Sequence, residues 1–252
     1  LSGGARRCLS RFPSGLFQCC VTSPPYWGLR DYGVQPTIWG GNSRCRHVWE
    51  NERNGRFCEC CGAWLGCLGL EPTPDLYVEH LIEICRGVKR VLRDDGTFWL
   101  NIGDSYCGYH GNSKCADDKA PSNKPGYIGN MRASTVGIAG LKQKDMAGIP
   151  WRVAFALQSD GWYLRQDIIW QKTNPMPESI KDRCTRAHEY IFLLSKHPRY
   201  YYDAEAIKEP ATMKPQGHTP AGLRNRRDVW TMATKPSVWE FCLQCNTLFE
   251  GK

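Results

Sequence analysis

Cys19-Cys20-Val21-Thr22-Ser23-Pro24-Pro25-Tyr26-Trp27 decides how the rest of the chain is read. Phe17 to Val21 reads as a short buried strand, and the two prolines then stop any ladder or helix. The prolines instead set up a stiff turn carrying a hydroxyl, backbone carbonyls freed from the ladder, and an aromatic ring. A turn of this kind at the carboxyl end of a parallel strand is where open α/β sheets place their ligand sites. Its chemistry suits a flat molecule with an exocyclic amino group. Ser23 Oγ and the Pro24 carbonyl can accept the two amino hydrogens while Tyr26 stacks on the ring. Accepting those hydrogens keeps the nitrogen lone pair out of the ring's conjugation and aims it at an electrophile.

Thr22-Ser23-Pro24-Pro25-Tyr26-Trp27 resembles the catalytic motif of the amino-methylating DNA methyltransferases, which act on cytosine N4 or adenine N6. The family pattern is (Asp/Asn/Ser)-Pro-Pro-(Tyr/Phe/Trp), and this is its serine form. The resemblance implies an α/β fold: a partial Rossmann-like methyltransferase sheet with helices on both faces. It makes Ser23, Pro24, Pro25 and Tyr26 catalytic, S-adenosylmethionine the methyl donor and double-stranded DNA the partner. Serine in the first position leans towards cytosine N4 over adenine N6. A restriction-modification or phage setting, with a cognate endonuclease, goes with that family. The mechanism needs no covalent enzyme intermediate, so no catalytic cysteine is expected.

Composition agrees with such a role. The chain has 252 residues, 41% hydrophobic, with ten tryptophans, enough for a full core and too apolar for disorder. Its net charge of +8 favours a polyanionic partner. No apolar run is long enough to span a bilayer, so a cytoplasmic protein without membrane contact is expected. Fourteen cysteines in a chain of this length fit a reducing compartment, with a few thiols on metal, better than a disulfide scaffold.

Residues 45–67 supply that metal site. Cys45-Arg46-His47 and Cys58-Glu59-Cys60-Cys61-Gly62 pair a C-x-H with a C-x2-C, ligands that zinc accepts in tetrahedral geometry. Gly62 permits the tight knuckle, and the polar, Gly-ended stretch between suits a hairpin tip. Cys45, His47, Cys58 and Cys61 are the expected ligands, with Cys60 and Cys67 as substitutes. The metal is structural, because four protein ligands leave no open position. The chain therefore divides into residues 1–44 and 68–252, catalytic, and residues 45–67, a zinc-knuckle insertion.

Thr73-Pro74-Asp75 opens a helix, with Thr73 at the N-cap, Pro74 in the first turn and Asp75 favourable to the dipole. Val78, Leu81, Ile82, Cys85, Val88 and Leu92 recur at helical spacing. Asp94-Asp95-Gly96 then turns into a buried strand, residues 97–102, ended by Gly103-Asp104-Ser105. This half-unit matches the segment that comes after the motif in the resembling family. Thr22, Asn101, Asp104 and Ser105 therefore face the cofactor, although Asp104 reads equally well as a cap or turn residue. Residues 107–147, rich in Gly and Lys, including Lys114, Lys119, Lys124 and Arg132, read as a long basic loop or lid. A helix from Ile149 comes next, then strands at 162–170 and 188–196. In the family, such strands end beside a flipped base, which brings Asn174, Pro175 and His188 to the substrate with Trp27 and Arg30. Arg30 could instead pair with Asp31. Arg224, Arg226 and Arg227 beside Trp230 suit phosphates and bases, and Cys242 and Cys245 read as half of a second zinc site.

The family holds its cofactor with a Phe-x-Gly-x-Gly loop, and no such loop occurs in the sequence. The resemblance then implies a permuted order with the motif first. It also implies a fragment, starting at Leu1 rather than methionine, that neither binds cofactor well nor turns over. Two rival readings stand beside this one. One is a non-catalytic zinc-dependent DNA-binding module; the other is a protein glutamine methyltransferase, which also uses a Pro-Pro-Tyr turn.

Overall fold

Phe17–Thr22 (β1) is an edge strand whose parallel neighbour is Leu92–Ile102 (β5), and this pair fixes the direction of the main sheet. The computed structural model describes residues 4–50, 56–107, 140–211, 222–234, 239–242 and 247–250, the last two for backbone only. The lid residues Lys114, Lys119, Lys124 and Arg132 and the Cys242/Cys245 pair lie outside what is described of side chains.

In chain order, Ala5–Leu9 (α1) precedes β1, and Thr37–Trp39 (β2), Arg56–Phe57 (β3) and Trp64–Gly66 (β4) come after it. Pro74–Val91 (α2) leads directly into β5, then come Ile149–Ser159 (α3), Tyr163–Lys172 (β6) and His188–Ser195 (β7). Glu209–Pro210 (β8) pairs with Leu223–Arg224 (β9), and Val229–Met232 (β10) precedes a hairpin of Trp239–Cys242 (β11) and Thr247–Glu250 (β12).

The main sheet has the order β1-β5-β7-β6-β10. β1 pairs parallel with β5 and β10 parallel with β6, while β7 is antiparallel to both its neighbours. Four strands therefore end at one edge, where β7 begins. That edge collects Ser23, Gly103 to Ser105, Lys172 to Pro175 and His188-Glu189.

The helix starts as the sequence predicts: Thr73 Oγ1 accepts from the Leu76 amide at 3.1 Å, with Pro74 in the first turn. The expected turn at Asp94-Asp95-Gly96 is instead an irregular stretch inside β5. β1 pairs Phe17 with Leu92 and then Cys19 with Thr97, so the extra residues bulge within the ladder. Gly96 fits there because a Cβ would stand 3.0 Å from the carbonyls of Gln18 and Arg93.

Alternation along β5 sends Phe98, Leu100 and Ile102 into one core with Tyr77, Leu81 and Cys85 of α2 and Val153, Ala154 and Leu157 of α3. Each large side chain fully buried there contributes about 1.5–3 kcal/mol. The expectation of helices on both faces is met on one: among the described residues, α2 and α3 pack together on the same side. On the other side Trp99 and Trp230 lie 6.3 Å apart and, with Tyr201 and Tyr202, line an open cleft of about 600 Å³.

A second sheet, β2-β4-β3, begins at Thr37, ahead of the expected insertion. Its tryptophans Trp39 and Trp64 both stack with His80 of α2, ring centroids 4.6 and 5.3 Å apart. Among the described residues no helix is long and apolar enough to cross a membrane.

A candidate active site at the carboxyl edge of the sheet

The turn after β1 is held from below. Tyr77 Oη donates to the Pro25 carbonyl at 3.0 Å, and the Gly28 amide donates to the Gly69 carbonyl at 2.8 Å. Gly69 (φ +92) lies so close that a Cβ would meet Pro25 and the Tyr26 carbonyl at 3.1 Å. Glu71, fully buried, accepts from the Gly69 amide at 2.8 Å and pairs with His80 Nδ1 at 3.0 Å. Among the described residues the Pro24 carbonyl accepts no hydrogen bond, and Ser23 is exposed. Two acceptors thus stay open at the head of a rigid turn.

Tyr26 is pinned through its hydroxyl. Asn101 Oδ1 and Glu189 Oε2 each lie 2.7 Å from Tyr26 Oη, and Ser23 Oγ donates to it at 3.1 Å. Its ring lies against Gly103, where a Cβ would stand 2.7 Å from Cε2. Burial pushes the Tyr26 phenol well above its ordinary value; the Ser23 hydrogen bond opposes that rise and the Glu189 charge adds to it. Tyr26 is therefore a neutral donor. Glu189 is in turn paired through Oε1 with Lys172 Nζ of β6.

Not every expected residue faces this edge in the same way. Trp27 is buried and its indole donates to the Glu71 carbonyl at 2.9 Å, so it is a wall of the core with no free stacking face. Asp104 takes its alternative reading: Oδ1 caps the entry to α3, accepting from the Ser105 and Ile149 amides at 2.9 Å, and Arg186 stands 3.6 Å from Oδ2. Ser105 is buried with an Oγ that has no partner among the described residues. Thr22 is exposed at the end of β1. Asn174 Oδ1 accepts from both the amide and the hydroxyl of Thr234 at 2.9 Å, which ties the ends of β6 and β10 together beside Pro175. His188 is half-buried against Tyr190, and burial, reinforced by Arg186 and Lys172, holds its imidazole below the ordinary value. Arg30 does not pair with Asp31, whose carboxylate caps the Gly33 amide. It lines a cleft of about 380 Å³ with Ser23, Tyr32, Cys67 and Leu68.

Arg224, Arg226 and Arg227 are elsewhere. All three gather at Glu209, at 3.0, 3.9 and 2.6 Å, and Arg226 lines the open cleft on the helix-free face. The sequence pattern does not single out Lys172, because a lysine at a strand end looks like solvated surface. Its signal is the antiparallel pairing of β6 with β7, which only the topology supplies.

In the small sheet the ligand atoms of Cys45, His47, Cys58 and Cys61 all lie within 4.8 Å of one another. Cys45 Sγ to Cys58 Sγ is 3.9 Å and Cys61 Sγ to His47 Nδ1 is 3.4 Å. Two thiolates on tetrahedral zinc, each about 2.3 Å from the ion, stand about 3.8 Å apart, so the four side chains fit that metal. Gly62 (φ +70) closes the knuckle, its amide donating to the Cys58 carbonyl at 2.8 Å. Burial alone would raise the Cys58 thiol; His47 and the Cys60 and Cys61 amides bring it down to about 6 instead. The same setting pushes Cys45 up to about 12, through burial first and then its thiol neighbours. The two substitutes are not brought in: Cys60 is exposed and Cys67 donates to the Val34 carbonyl.

With the geometry in place, comparisons with known proteins agree on its kind. The family model described as DNA methylase, for N6 and N4 methyltransferases, matches residues 17–240. The Type II methyltransferase M.XycI of Xanthomonas campestris pv. cyanopsidis is 45% identical over 234 residues, 93% of this chain and 64% of that protein. M.SmaI of Serratia marcescens is 46% identical over the same length, 93% of this chain and 66% of that protein. The chain thus spans a little under two thirds of the length of these relatives. Among solved structures, PvuII DNA methyltransferase (cytosine-N4-specific) superposes with a TM-score of 0.52 at 15% identity, over 96% of this chain and 60% of that one, which speaks to the fold.

Proposed function

The chain belongs to the DNA methylase family of N6 and N4 methyltransferases, and from that premise we propose that its carboxyl-edge turn methylates the exocyclic amino group of a base in double-stranded DNA. S-adenosylmethionine supplies an electron-poor methyl group on sulfur. The observation that carries the reading is the pair of open acceptors, Ser23 Oγ and the Pro24 carbonyl, beside a tyrosine ring whose hydroxyl is held among three oxygens, those of Ser23, Asn101 and Glu189. Amino hydrogens held by those two oxygens leave the nitrogen lone pair directed out of the base plane. The stacked Tyr26 keeps the base from rotating, so the turn works by orientation and electrostatics. A base must leave the duplex to reach it. Asn101 and Glu189 act on the base through Tyr26, whose ring they hold.

The base we assign is cytosine, with N4 the methylated atom, on the serine that heads the motif. For the methyl donor, Ser105 is the residue that fits best, because its buried hydroxyl at the same edge is unpartnered among the described residues. Thr22 lies at the rim; Asp104 shapes the pocket through the start of α3. Residues 45–67 form a structural zinc insertion in this reading, held by Cys45, His47, Cys58 and Cys61 and braced on α2 through His80.

Nucleoside analysis tests the reading. The protein is incubated with labelled S-adenosylmethionine and unmethylated DNA, and the DNA is digested. N4-methylcytosine is the expected product, abolished by Ser23→Ala. N6-methyladenine would move the assignment to the other base, and label in protein alone would overturn the DNA reading. Calorimetry of S-adenosylmethionine with the 252-residue chain measures how much of the donor site these residues supply.

A further inference from the structure

Tyr26 Oη has three oxygen neighbours and one proton to give. Ser23 Oγ donates to it, and both Asn101 Oδ1 and Glu189 Oε2 stand at accepting distance, 2.7 Å. The Asn101 amide cannot be turned round, because its Nδ2 donates to the Tyr190 carbonyl at 3.1 Å, which leaves Oδ1 facing the phenol. The tyrosine proton is therefore shared between a neutral amide oxygen and a carboxylate. Only the carboxylate can keep it.

We propose that Ser23, Tyr26 and Glu189 form a proton relay in which Glu189 receives the proton that the amino nitrogen loses on methylation. The inference rests on the amino-methylating reading of this turn. The nitrogen lone pair forms the new N–C bond as the methyl group leaves its former bonding pair behind on sulfur. The nitrogen is then cationic and must shed one hydrogen. The hydrogen held by Ser23 Oγ passes to that oxygen, and the N–H pair returns to nitrogen. Ser23 hands its own proton to Tyr26 Oη, and Tyr26 hands its proton to Glu189 Oε2. The carboxylate becomes a carboxylic acid as the sulfonium becomes a neutral thioether, so charge balances within the site.

The hydrogen bonds already run in this direction, from Ser23 to Tyr26 at 3.1 Å and from Tyr26 to Glu189 at 2.7 Å. Such a chain polarises along its length, so the ionised Glu189 makes Ser23 Oγ a better acceptor before any transfer. The half-buried, protonated phenol relays because it gives one proton as it gains another. The charged and titratable groups facing Glu189 are Lys172 from β6 and Tyr26 from the turn. Asn101 from β5 is uncharged, and His188 and Arg186 flank Glu189 along its own chain segment. Lys172 is paired with the other carboxylate oxygen and is a fifth exposed.

Two variants of the protein test the relay, Tyr26→Phe, which keeps the ring, and Glu189→Gln, which keeps the shape. Single-turnover methyl transfer is measured against pH, and base extrusion is read separately with 2-aminopurine beside the target. The relay requires both variants to slow transfer by about 100-fold, the low end for a positioned general base, while both still extrude the base. In Glu189→Gln the acid limb of the wild-type pH profile should disappear. Rates within about threefold of wild type in either variant would overturn the relay alone. So would slowing by one factor at every pH with the wild-type profile intact, which marks a structural role. A wild type that extrudes no base and methylates no DNA would overturn the relay together with the reading beneath it.

Discussion

At the scale of single residues, the site depends on close approach more than on charge. Gly103 shows this most sharply. Its φ is unremarkable, yet a Cβ there would stand 2.7 Å from Tyr26 Cε2 and 2.9 Å from Cδ2. The ring must move while the sheet need not. Gly103→Ala is therefore expected to lower methyl transfer by about 100-fold, the usual cost of misplacing a reacting group by about 1 Å, with a thermal midpoint within a few degrees of wild type. Single-turnover kinetics beside a melting curve separates the two effects; equal losses in both would show that Gly103 serves the core. Asp104 is the opposite case. Asp104→Ala removes the oxygen that both the Ser105 and Ile149 amides share. A lost cap costs about 1 kcal/mol, or about 2–4 °C in a domain of this size. Calorimetric melting checks it, and an unchanged midpoint would mean that water replaces the carboxylate.

At the scale of elements, the question is how a metal-sized cluster in a three-stranded sheet bears on a turn in a different sheet. The link is α2. His80 stacks with Trp39 and Trp64, pairs with buried Glu71, and Glu71 holds the Gly69 loop on which Pro25 and Gly28 rest. His80→Ala leaves a buried carboxylate without its partner. Leaving a buried polar group short of a partner costs about 1–3 kcal/mol, so the melting midpoint should fall by at least about 2 °C, and an unchanged midpoint would show that Glu71 is not committed to this pair. Chelation of zinc, or Cys58→Ser, should loosen β2-β4-β3, seen as a change in the fluorescence of Trp39 and Trp64, because an apo site of this type rarely persists. Zinc content by mass spectrometry gives the direct measure, and a metal-free protein with unchanged fluorescence would count against the structural ion.

These elements also show what the sequence can carry. The Thr73 cap, the α2 stripe and the buried run into Gly103 are local signals, each found where the residues predict, and the C-x-H and C-x2-C side chains come within 4.8 Å of one another. The bulge at Asp94 to Gly96 is not legible, because those three residues also spell a turn; only pairing with β1 decides between the two. Trp27 misleads for a similar reason. An aromatic next to a catalytic-type turn looks like a stacking face until Glu71, forty-four residues on, takes its indole. The Tyr26–Glu189 bond spans 163 residues, and no local pattern announces it.

On the scale of the whole molecule, charge and site point to different surfaces. The chain carries +8, yet the turn itself offers oxygens, and among the described residues three cations, Arg224, Arg226 and Arg227, gather around Glu209, with Arg226 lining the cleft of the open face. One carboxylate among three guanidiniums leaves a cluster with net charge near +2, in which Arg224 and Arg227 bond Glu209 at 3.0 and 2.6 Å and Arg226 stands 3.9 Å away. Arg227 is the most exposed of the three, at 64% of its side chain, and is the natural one to reach a phosphate. If it neutralises one, Arg227→Ala should lower the slope of log affinity against log salt by about 0.9, evenly across DNA sequences. Methyl transfer at saturating DNA should stay close to wild type, because the residue stands apart from Ser23. A filter-binding or anisotropy series between low and moderate salt measures the slope. An unchanged slope would assign the cluster to folding, with Glu209 tying β8 and β9 to the segment ahead of β10, and would move the duplex to the side of the sheet that carries Arg30.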